Sequence, residues 1–264
     1  MPVNRTRPAA RRTAAALLLL GAVAYTAWVL ELVIVTGLDP VRAYVSELAA
    51  ADQPLGGLFR ATDLVAGLLV LAGALTALTG PAGQAEPTGP AAAERRPWAV
   101  AGWAALVLFG AATALDSRLP LSCAPTGDPE CAARETAGLV PATHTAHAVS
   151  SSLAMVGALA ALVLLTVAAR RYDRWPALAR FGPPLVLAEL AATLWTLAAV
   201  AAFTADRGTW ALGVGQRVQV LLVALYIALL AGCLARPGTA AARTAPAAHP
   251  PPAAPGAAPA RPSP

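Results

Sequence analysis

The chain has 264 residues, of which 57% are hydrophobic and only 12% are charged, and its mean hydropathy is +0.60. Soluble domains average about a quarter charged residues, so this composition excludes an ordinary soluble enzyme or binding domain. The net charge is +5, but all basic residues are arginines and no basic stripe with interleaved aromatic residues occurs. We therefore expect the lipid bilayer as the main partner, no nucleic acid and no cofactor, while protein partners stay unknown.

Six apolar stretches are each long enough to cross a hydrocarbon core of about 30 Å as a helix. Only helices satisfy their own backbone in lipid with connections this short, so we predict an all-α bundle of six transmembrane helices within a membrane domain 13–236. The first stretch follows Arg11 and Arg12 like a signal peptide, but its apolar run reaches Val35, which indicates a retained anchor. The predicted spans are 13–36, 58–80, 98–115, 143–169, 183–204 and 214–235.

The arginines fall mostly on one side of this topology. Thirteen of the 19 lie in the N-terminal segment, the second and fourth loops and the C-terminal segment, and six lie on the other side. The positive-inside rule therefore places both termini in the cytoplasm and the protein in the cell membrane. The N-terminal tail 1–12 is then cytoplasmic. So is the Ala/Pro-rich tail 237–264, which we predict to be disordered because it cannot bury a core.

Two cysteines share the loop between the third and fourth spans, which the arginine count places outside the cell. An oxidising compartment favours a disulfide between Cys123 and Cys131, and two free thiols or a metal pair are the alternatives. Cys233 lies in the last span, where we expect a small buried apolar group.

The first outer loop is better organised than a linker. Asp39 followed by Pro40 is a typical helix start, and the apolar residues after it recur at helical spacing. We predict a short amphipathic helix that lies on the outer leaflet or caps the bundle. The alternative is a lid whose Ser46 and Glu47 point into a pocket. The apolar stripe consists of Val41, Tyr44, Val45 and Leu48.

The fourth span opens with a polar face. His144, His147 and Ser151 occur at i, i+3 and i+7, so two imidazoles and a hydroxyl lie on one side of the helix. Two histidines at this spacing can ligate one metal ion if Asp116 or another carboxylate supplies oxygen. The membrane domain lacks HExxH and a third histidine, so we predict no metal and expect the pair to hydrogen-bond neighbouring helices.

Ionisable residues within the spans are the next indication of a site. Such residues are costly in lipid, so they face the bundle interior and usually pair. Arg217 at the start of the sixth span can pair with Glu31 or Asp63, and Gln216 adds an amide contact. Glu189 lies deeper in the fifth span with no arginine at its depth, which makes it the candidate for a proton-linked role.

The sequence carries no established nucleophile motif. Ser46 beside Glu47, and the serines 150–152 near His147, lie outside GxSxG and SxxK motifs. Hydroxyls in membrane helices commonly bond to backbone carbonyls, and a nucleophile needs a positioned base, so we do not predict covalent catalysis.

These polar residues occur in a recognisable order: Ser46, Glu47, Asp116, Cys123, Cys131, His144, His147, the serines 150–152, Gln216 and Arg217. That order resembles the "domain of unknown function 998" membrane family over roughly residues 14–235. The resemblance implies a six-helix bacterial or archaeal membrane protein whose biochemical role is not established. A more distant likeness is to membrane-embedded hydrolases with serine, aspartate and a histidine zinc site, but this chain lacks their third histidine and their HxxxH spacing.

Together the polar residues predict a cavity that opens to the outside. We expect it to bind or move a small molecule or a zwitterionic or anionic lipid headgroup without catalysis, with two histidines lending pH sensitivity. One alternative is a metal-dependent lipid hydrolase that uses His144, His147 and Asp116 as ligands. Another is a structural or accessory subunit whose polar groups only hold helices together. The predicted wall consists of Glu31, Ser46, Glu47, Asp63, Asp116, His144, His147, Gln216 and Arg217.

Overall fold

A computed structural model describes residues 6–80 and 96–236 of the chain. Every regular element in these ranges is helical, and six helices are long and apolar enough to span a membrane, which confirms the predicted all-α class with six spans. The predicted disordered tail 237–264 lies outside the described residues. The α-helices are α1 (Thr6–Tyr25), α2 (Gly56–Thr79), α3 (Pro97–Asp116), α4 (Pro129–Thr136), α5 (Ala142–Arg171), α6 (Pro176–Thr204) and α7 (Leu212–Ala235), and 3-10 helices cover Ala27–Leu32 and Val45–Ala49.

The six long helices form a ring. Each packs mainly against its neighbours along the chain, and α7 packs against α1. Arg11 of α1 helps to close the ring, because its guanidinium donates to the carbonyls of Leu234 (3.2 Å) and Arg236 (2.7 Å). Small residues permit close approach: a Cβ atom on Gly67 of α2 would lie 2.5 Å from the amide nitrogen of Ala114 in α3. Such contacts let helix backbones touch in a membrane protein.

The two ends of the ring differ in character. The terminal end holds the start of α1 and the end of α7, and the loop-rich end carries the segments 33–55, 117–141 and 205–211. Across the ring, the Tyr226 hydroxyl of α7 donates to the carbonyl of Leu162 in α5 (2.9 Å) on the terminal side. The half toward the terminal end is packed with large buried side chains, including Trp103, Leu162, Leu165, Trp175, Tyr226 and Leu230.

The first span is shorter as an α-helix than the sequence predicts. α1 ends at Tyr25 rather than near Thr36, and a 3-10 helix continues the chain. The Thr26 hydroxyl donates to the carbonyl of Val23 (2.8 Å) at the junction, a local bond that competes with the helical pattern. The tighter helix that follows carries Glu31, whose carboxylate contacts α7.

A short helix lies between the first two spans, as predicted, but it is the 3-10 helix Val45–Ala49 and does not begin at Asp39. The Asp39 side chain does cap a turn, since its Oδ1 accepts a hydrogen bond from the amide of Val41 (2.9 Å). That turn is not extended because the Val41 carbonyl accepts instead from the amide of Gly213 in α7 (3.0 Å). Contacts with α7 therefore override the local start signal.

Two other helices differ from the sequence prediction. The helix α4 was not predicted, although Asp128 caps it by accepting a hydrogen bond from the amide of Glu130 (2.9 Å), with Pro129 in its first turn. The helix α6 begins at Pro176, ahead of the predicted start at Pro183, and continues through Pro183 and Pro184.

Candidate functional site

A buried ion pair joins α7 to the segment after α1. Arg217 donates from Nε and Nη2 to the two carboxylate oxygens of Glu31, at 2.5 and 2.6 Å. Its Nη1 donates to the carbonyls of Ala43 (2.8 Å) and Gly213 (3.0 Å). Most of the N–H groups of the guanidinium are thus used in bonds that hold three chain segments together. We call this arrangement the arginine clasp.

A second contact joins the first long loop to the segment between α3 and α5. The Glu47 carboxylate is fully buried and accepts two hydrogen bonds from Thr126, one from the amide (2.8 Å) and one from the hydroxyl (2.5 Å). Burial raises the pKa of Glu47 from 4.5 to about 7 because it disfavours the charged form; the Thr126 bonds act in the opposite direction, and Glu135 and Asp52 add repulsion. This contact, the glutamate clamp, therefore titrates near neutral pH.

The loop that supplies Thr126 is closed by a disulfide. Cys123 and Cys131 are bonded, as the sequence analysis expected, and Cys131 is fully buried in α4. Because the closed loop has fewer conformations when unfolded, the bond stabilises the segment that presents Thr126 to Glu47.

His144 faces the same segment. Its Nδ1 lies 3.1 Å from the amide of Ser122 and 2.9 Å from the Ser122 hydroxyl. A backbone amide can only donate, so Nδ1 is the acceptor and the neutral ring carries its proton on Nε2. That buried Nε2 has no hydrogen-bond partner within the described ranges and lies 3.7 Å from Oε1 of Glu135. The neutral ring therefore has an N–H donor at Nε2 that makes no hydrogen bond to a described residue and lies close to α4.

His147 turns toward the end of α3. Its Nδ1 lies 3.0 Å from the carbonyl of Leu119 and 3.1 Å from Oδ1 of Asp116. Two hydroxyls on the same helix also reach Asp116: Ser150 donates to Oδ1, and Ser151 donates to Oδ2 at 2.9 Å. The Ser151 oxygen is also 3.3 Å from Nε2 of His147. One carboxylate thus organises an imidazole and two hydroxyls.

The histidine pair does not form the alternative metal site. His144 and His147 lie on one helix face, but the first contacts Ser122 and the second contacts Asp116. Over residues 6–80 and 96–236, no group of three or more His, Cys, Asp or Glu side chains is arranged to hold a metal ion. The alternative ligand set His144, His147 and Asp116 is therefore not assembled.

Carboxylates from three helices lie within electrostatic range of the Tyr25 hydroxyl at the end of α1. They belong to Asp63 of α2, Asp116 of α3 and Glu189 of α6, and Asp63 also interacts with His147. Tyr25 and Asp63 are both partly buried. We call the five residues Tyr25, Asp63, Asp116, His147 and Glu189 the polar layer.

Glu189 has unused hydrogen-bonding capacity. It lies at the middle of α6, is fully buried, and neither of its carboxylate oxygens has a hydrogen-bond partner in the described part of the chain. Gln219 and Thr193 lie close to the carboxylate and are hydrogen-bonded to each other, since the Gln219 amide donates to the Thr193 hydroxyl (2.9 Å), but neither makes a well-formed hydrogen bond to a carboxylate oxygen. The Thr196 hydroxyl nearby is likewise buried without a described partner.

The nine residues of the predicted wall lie toward the loop-rich end in several groups. Gln216 belongs beside the arginine clasp, since its Oε1 accepts a hydrogen bond from the amide of Val45 (2.8 Å). Ser46 is half-buried next to the glutamate clamp. The clasp holds Glu31 and Arg217, the clamp holds Glu47, His144 faces Ser122, and the polar layer holds Asp63, Asp116 and His147.

Sequence reasoning missed several residues that complete these groups. Thr126 and Ser122 lie in a loop far along the chain from their acidic or imidazole partners, so no local spacing indicates the contact. Tyr25 could have been suspected, because a tyrosine near the end of an apolar stretch has a hydroxyl that needs a polar neighbour.

A small apolar pocket lies beside residues 35–38 and 53–55 of the first long loop. None of the predicted wall residues lines it.

Comparison with known proteins places the chain in a family. Residues 18–232 match the family described as Protein of unknown function (DUF998), a range that includes part or all of every membrane span. No curated protein and no solved structure matches the chain. The match covers more than half of the chain and confirms the resemblance seen in the order of the polar residues. The chain is therefore a multi-pass membrane protein that belongs to the family Protein of unknown function (DUF998).

Proposed function

We propose that the polar layer binds the cationic group of a small molecule or lipid headgroup that reaches it from the loop-rich end. The observation that carries this proposal is the buried Glu189 carboxylate, whose oxygens receive no hydrogen bond from the described residues. An ionised carboxylate without a partner is costly in a membrane interior, so it requires either a proton or a bound cation. Asp63 and Asp116 supply further acceptors in the same layer.

The same geometry disfavours the anionic ligand considered from the sequence. Arg217 would be the cationic group for such a ligand, but its guanidinium is bonded to Glu31 and to two backbone carbonyls. The polar layer instead offers carboxylates beside an aromatic pair, Tyr25 and Phe109, whose ring centroids lie 5.3 Å apart. Carboxylates and aromatic faces both attract an ammonium group.

Thermal unfolding of the detergent-purified protein tests the proposal with choline as the probe. Its uncharged isostere, 3,3-dimethylbutanol, has nearly the same shape and serves as the matched ligand control. Choline is expected to raise the unfolding temperature in a concentration-dependent way, because a ligand that binds only the folded state stabilises it. The neutral isostere is expected to leave the unfolding temperature unchanged.

Variants then locate the binding site. Glu189→Gln and Asp63→Asn keep the side-chain shape but remove the charge, and both are expected to abolish the choline shift. Asp206→Asn is the matched control, since Asp206 is exposed and asparagine tolerates its left-handed φ of 56°. Equal shifts with choline and its isostere, or an unchanged choline shift in Glu189→Gln, would contradict cation binding by the polar layer.

We further propose that the loop-rich end faces the outside of the plasma membrane. The arginine asymmetry of thirteen to six supports this orientation, and a disulfide suits an oxidising compartment. An impermeant maleimide added to intact cells is expected to label Asp52→Cys, which lies in the first long loop. It is expected to label Thr79→Cys at the terminal end only after permeabilisation; the reverse pattern would refute the orientation.

A further inference from the structure

Three side chains at the loop-rich end have the connectivity of an activated serine. Asp116 contacts Nδ1 of His147 at 3.1 Å, and Nε2 of the same ring lies 3.3 Å from the Ser151 hydroxyl. Nucleophilic hydroxyls need an adjacent base that a third group orients, and these contacts are often loose without a substrate. We propose that Ser151 is a nucleophile for acyl transfer, with His147 as its general base and Asp116 as a positioning residue.

The tautomer of His147 fits this role. Its Nδ1 faces the carbonyl oxygen of Leu119 at 3.0 Å as well as the Asp116 carboxylate, and both of these groups accept hydrogen bonds. The ring proton of the neutral form therefore lies on Nδ1 and leaves a lone pair on Nε2. This is the tautomer that can remove a proton from a serine. The Ser151 hydroxyl donates to Oδ2 of Asp116 (2.9 Å) and has to turn toward Nε2, 3.3 Å away, to pass its proton to the imidazole.

The two neighbouring serines are not equivalent to Ser151. Ser150 is buried, and its hydroxyl contacts Asp116 and the carbonyls of its own helix. Ser152 is exposed and donates to the carbonyl of Ala148 (2.7 Å), a bond within its own helix. Ser151 also donates to Asp116, through Oδ2 (2.9 Å), but it alone among the three lies against the imidazole, and it is half-buried. This difference supplies a matched control one residue away.

The chemical step uses only these groups and an ester. The Ser151 oxygen attacks the carbonyl carbon while its proton passes to Nε2 of His147. The bond to the alcohol then breaks, His147 returns the proton to the departing alcohol, and an acyl-serine remains for water to hydrolyse by the same route. Asp116 contacts the ring and Asp63 lies within electrostatic range of it, so both stabilise its positive charge in the intermediate.

The position of Ser151 indicates the substrate class. It lies nine residues into α5, or about 13 Å along the helix axis from the start of the span at the loop-rich end. A substrate at that depth needs an apolar body, so we assign the site to carboxylic esters of amphipathic molecules, such as acyl lipids. The proposal goes beyond cation binding, because it concerns the reactivity of one hydroxyl and needs no ammonium group.

A fluorophosphonate probe tests the proposal on the purified full chain. The serine oxygen displaces fluoride from phosphorus while the base takes the hydroxyl proton, so only an activated serine reacts readily. Peptide mass spectrometry of the wild-type protein is expected to place the adduct on Ser151, a result that does not depend on the folding of any variant. Ser151→Ala is expected to lose labelling, and Ser152→Ala is expected to keep it.

Variants of the partners distinguish a base from a merely structural contact. His147→Gln can hydrogen-bond but cannot take a proton, so its labelling rate is expected to fall by at least about 100-fold. Asp116→Asn is expected to slow labelling and to shift its pH profile, because asparagine can hold the wrong tautomer. Folded wild-type protein that stays unlabelled while a soluble serine esterase reacts fully would overturn the proposal, as would an adduct on Ser152. Neither result bears on choline binding, so the two proposals fail separately.

Discussion

Two glutamates lie against the loop-rich half of α7, Glu31 beside Arg217 and Glu189 beside Gln219. Arg217 binds both oxygens of Glu31 and fills its remaining contacts with backbone carbonyls. Gln219, two residues further along α7, lies beside Glu189 but donates to Thr193. The same helix therefore donates hydrogen bonds to both carboxylate oxygens of Glu31, whereas the oxygens of Glu189 accept none from the described residues.

The difference separates structural polar groups from candidate functional ones. Breaking a buried ion pair leaves an uncompensated charge, which costs far more than the pair contributes relative to apolar side chains. Neutralising an acid that accepts no hydrogen bond breaks no stabilising interaction, so we expect a much smaller loss of stability.

The largest expected effect is at the arginine clasp. Arg217→Met is expected to lower the free energy of unfolding by about 3–5 kcal/mol, because it leaves Glu31 buried without its partner. Chemical denaturation in detergent measures the change, with the exposed Arg207→Met as the control. The double variant Glu31→Gln with Arg217→Met is expected to be less destabilised than the sum of the single variants. Additive losses would show that the two side chains are not coupled.

The glutamate clamp is expected to make stability depend on pH. The pKa of Glu47 rises from 4.5 to about 7 on folding, so the folded state holds this proton more tightly than the unfolded state. The resulting stabilisation is fully present below about pH 4.5 and is lost as the pH rises to about 7, which amounts to roughly 3 kcal/mol.

Glu47→Gln tests this pH dependence, since glutamine mimics the protonated acid toward Thr126. The decline in stability between pH 4.5 and 7 is expected to be shallower in this variant than in the wild type. Glu130→Gln, at an exposed pair with Arg134, is the control and is expected to follow the wild-type curve. Parallel curves for the wild type and Glu47→Gln would rule out the clamp as the source.

A smaller loss is expected when only one bond of the clamp is removed. Thr126→Val keeps the amide bond to Glu47 but removes the hydroxyl, which leaves one buried carboxylate oxygen unsatisfied. The free energy of unfolding is expected to fall by about 1–3 kcal/mol. Thr136→Val is the matched control, because the Thr136 hydroxyl bonds only to its own helix at an exposed position. Equal effects of both substitutions would mean that Glu47 does not need Thr126.

The architecture could be predicted from the sequence because lipid imposes it locally. A long apolar stretch in a bilayer has no alternative to a helix, so six such stretches are sufficient to predict six spans. Local start signals were less reliable. Asp128 and Pro129 begin α4, whereas the same dipeptide at Asp39 and Pro40 yields only a turn, because α7 occupies the Val41 carbonyl.

The site could be predicted only in part, because the contacts between its residues are not local in the sequence. The residue types were identifiable, since buried charges and paired histidines are unusual in a membrane helix. Their partners were not: His144 and His147 lie on one face, but loop residues 22 and 28 positions away determine what each ring contacts. Arg217 could have paired with Glu31 or Asp63, and only the packing of the 3-10 helix after α1 selects Glu31.

The smallest effect on stability is expected at Glu189. Glu189→Gln is expected to change the free energy of unfolding by less than about 1 kcal/mol, because no hydrogen bond to a described residue is lost. Glu189→Leu, which removes a buried polar group altogether, is expected to raise stability. Thermal unfolding in detergent, run beside Arg217→Met, gives the comparison directly. If Glu189→Leu were as unstable as Arg217→Met, Glu189 would be a structural residue like Glu31. The absence of hydrogen bonds to its oxygens would then be no argument for a cation-binding site.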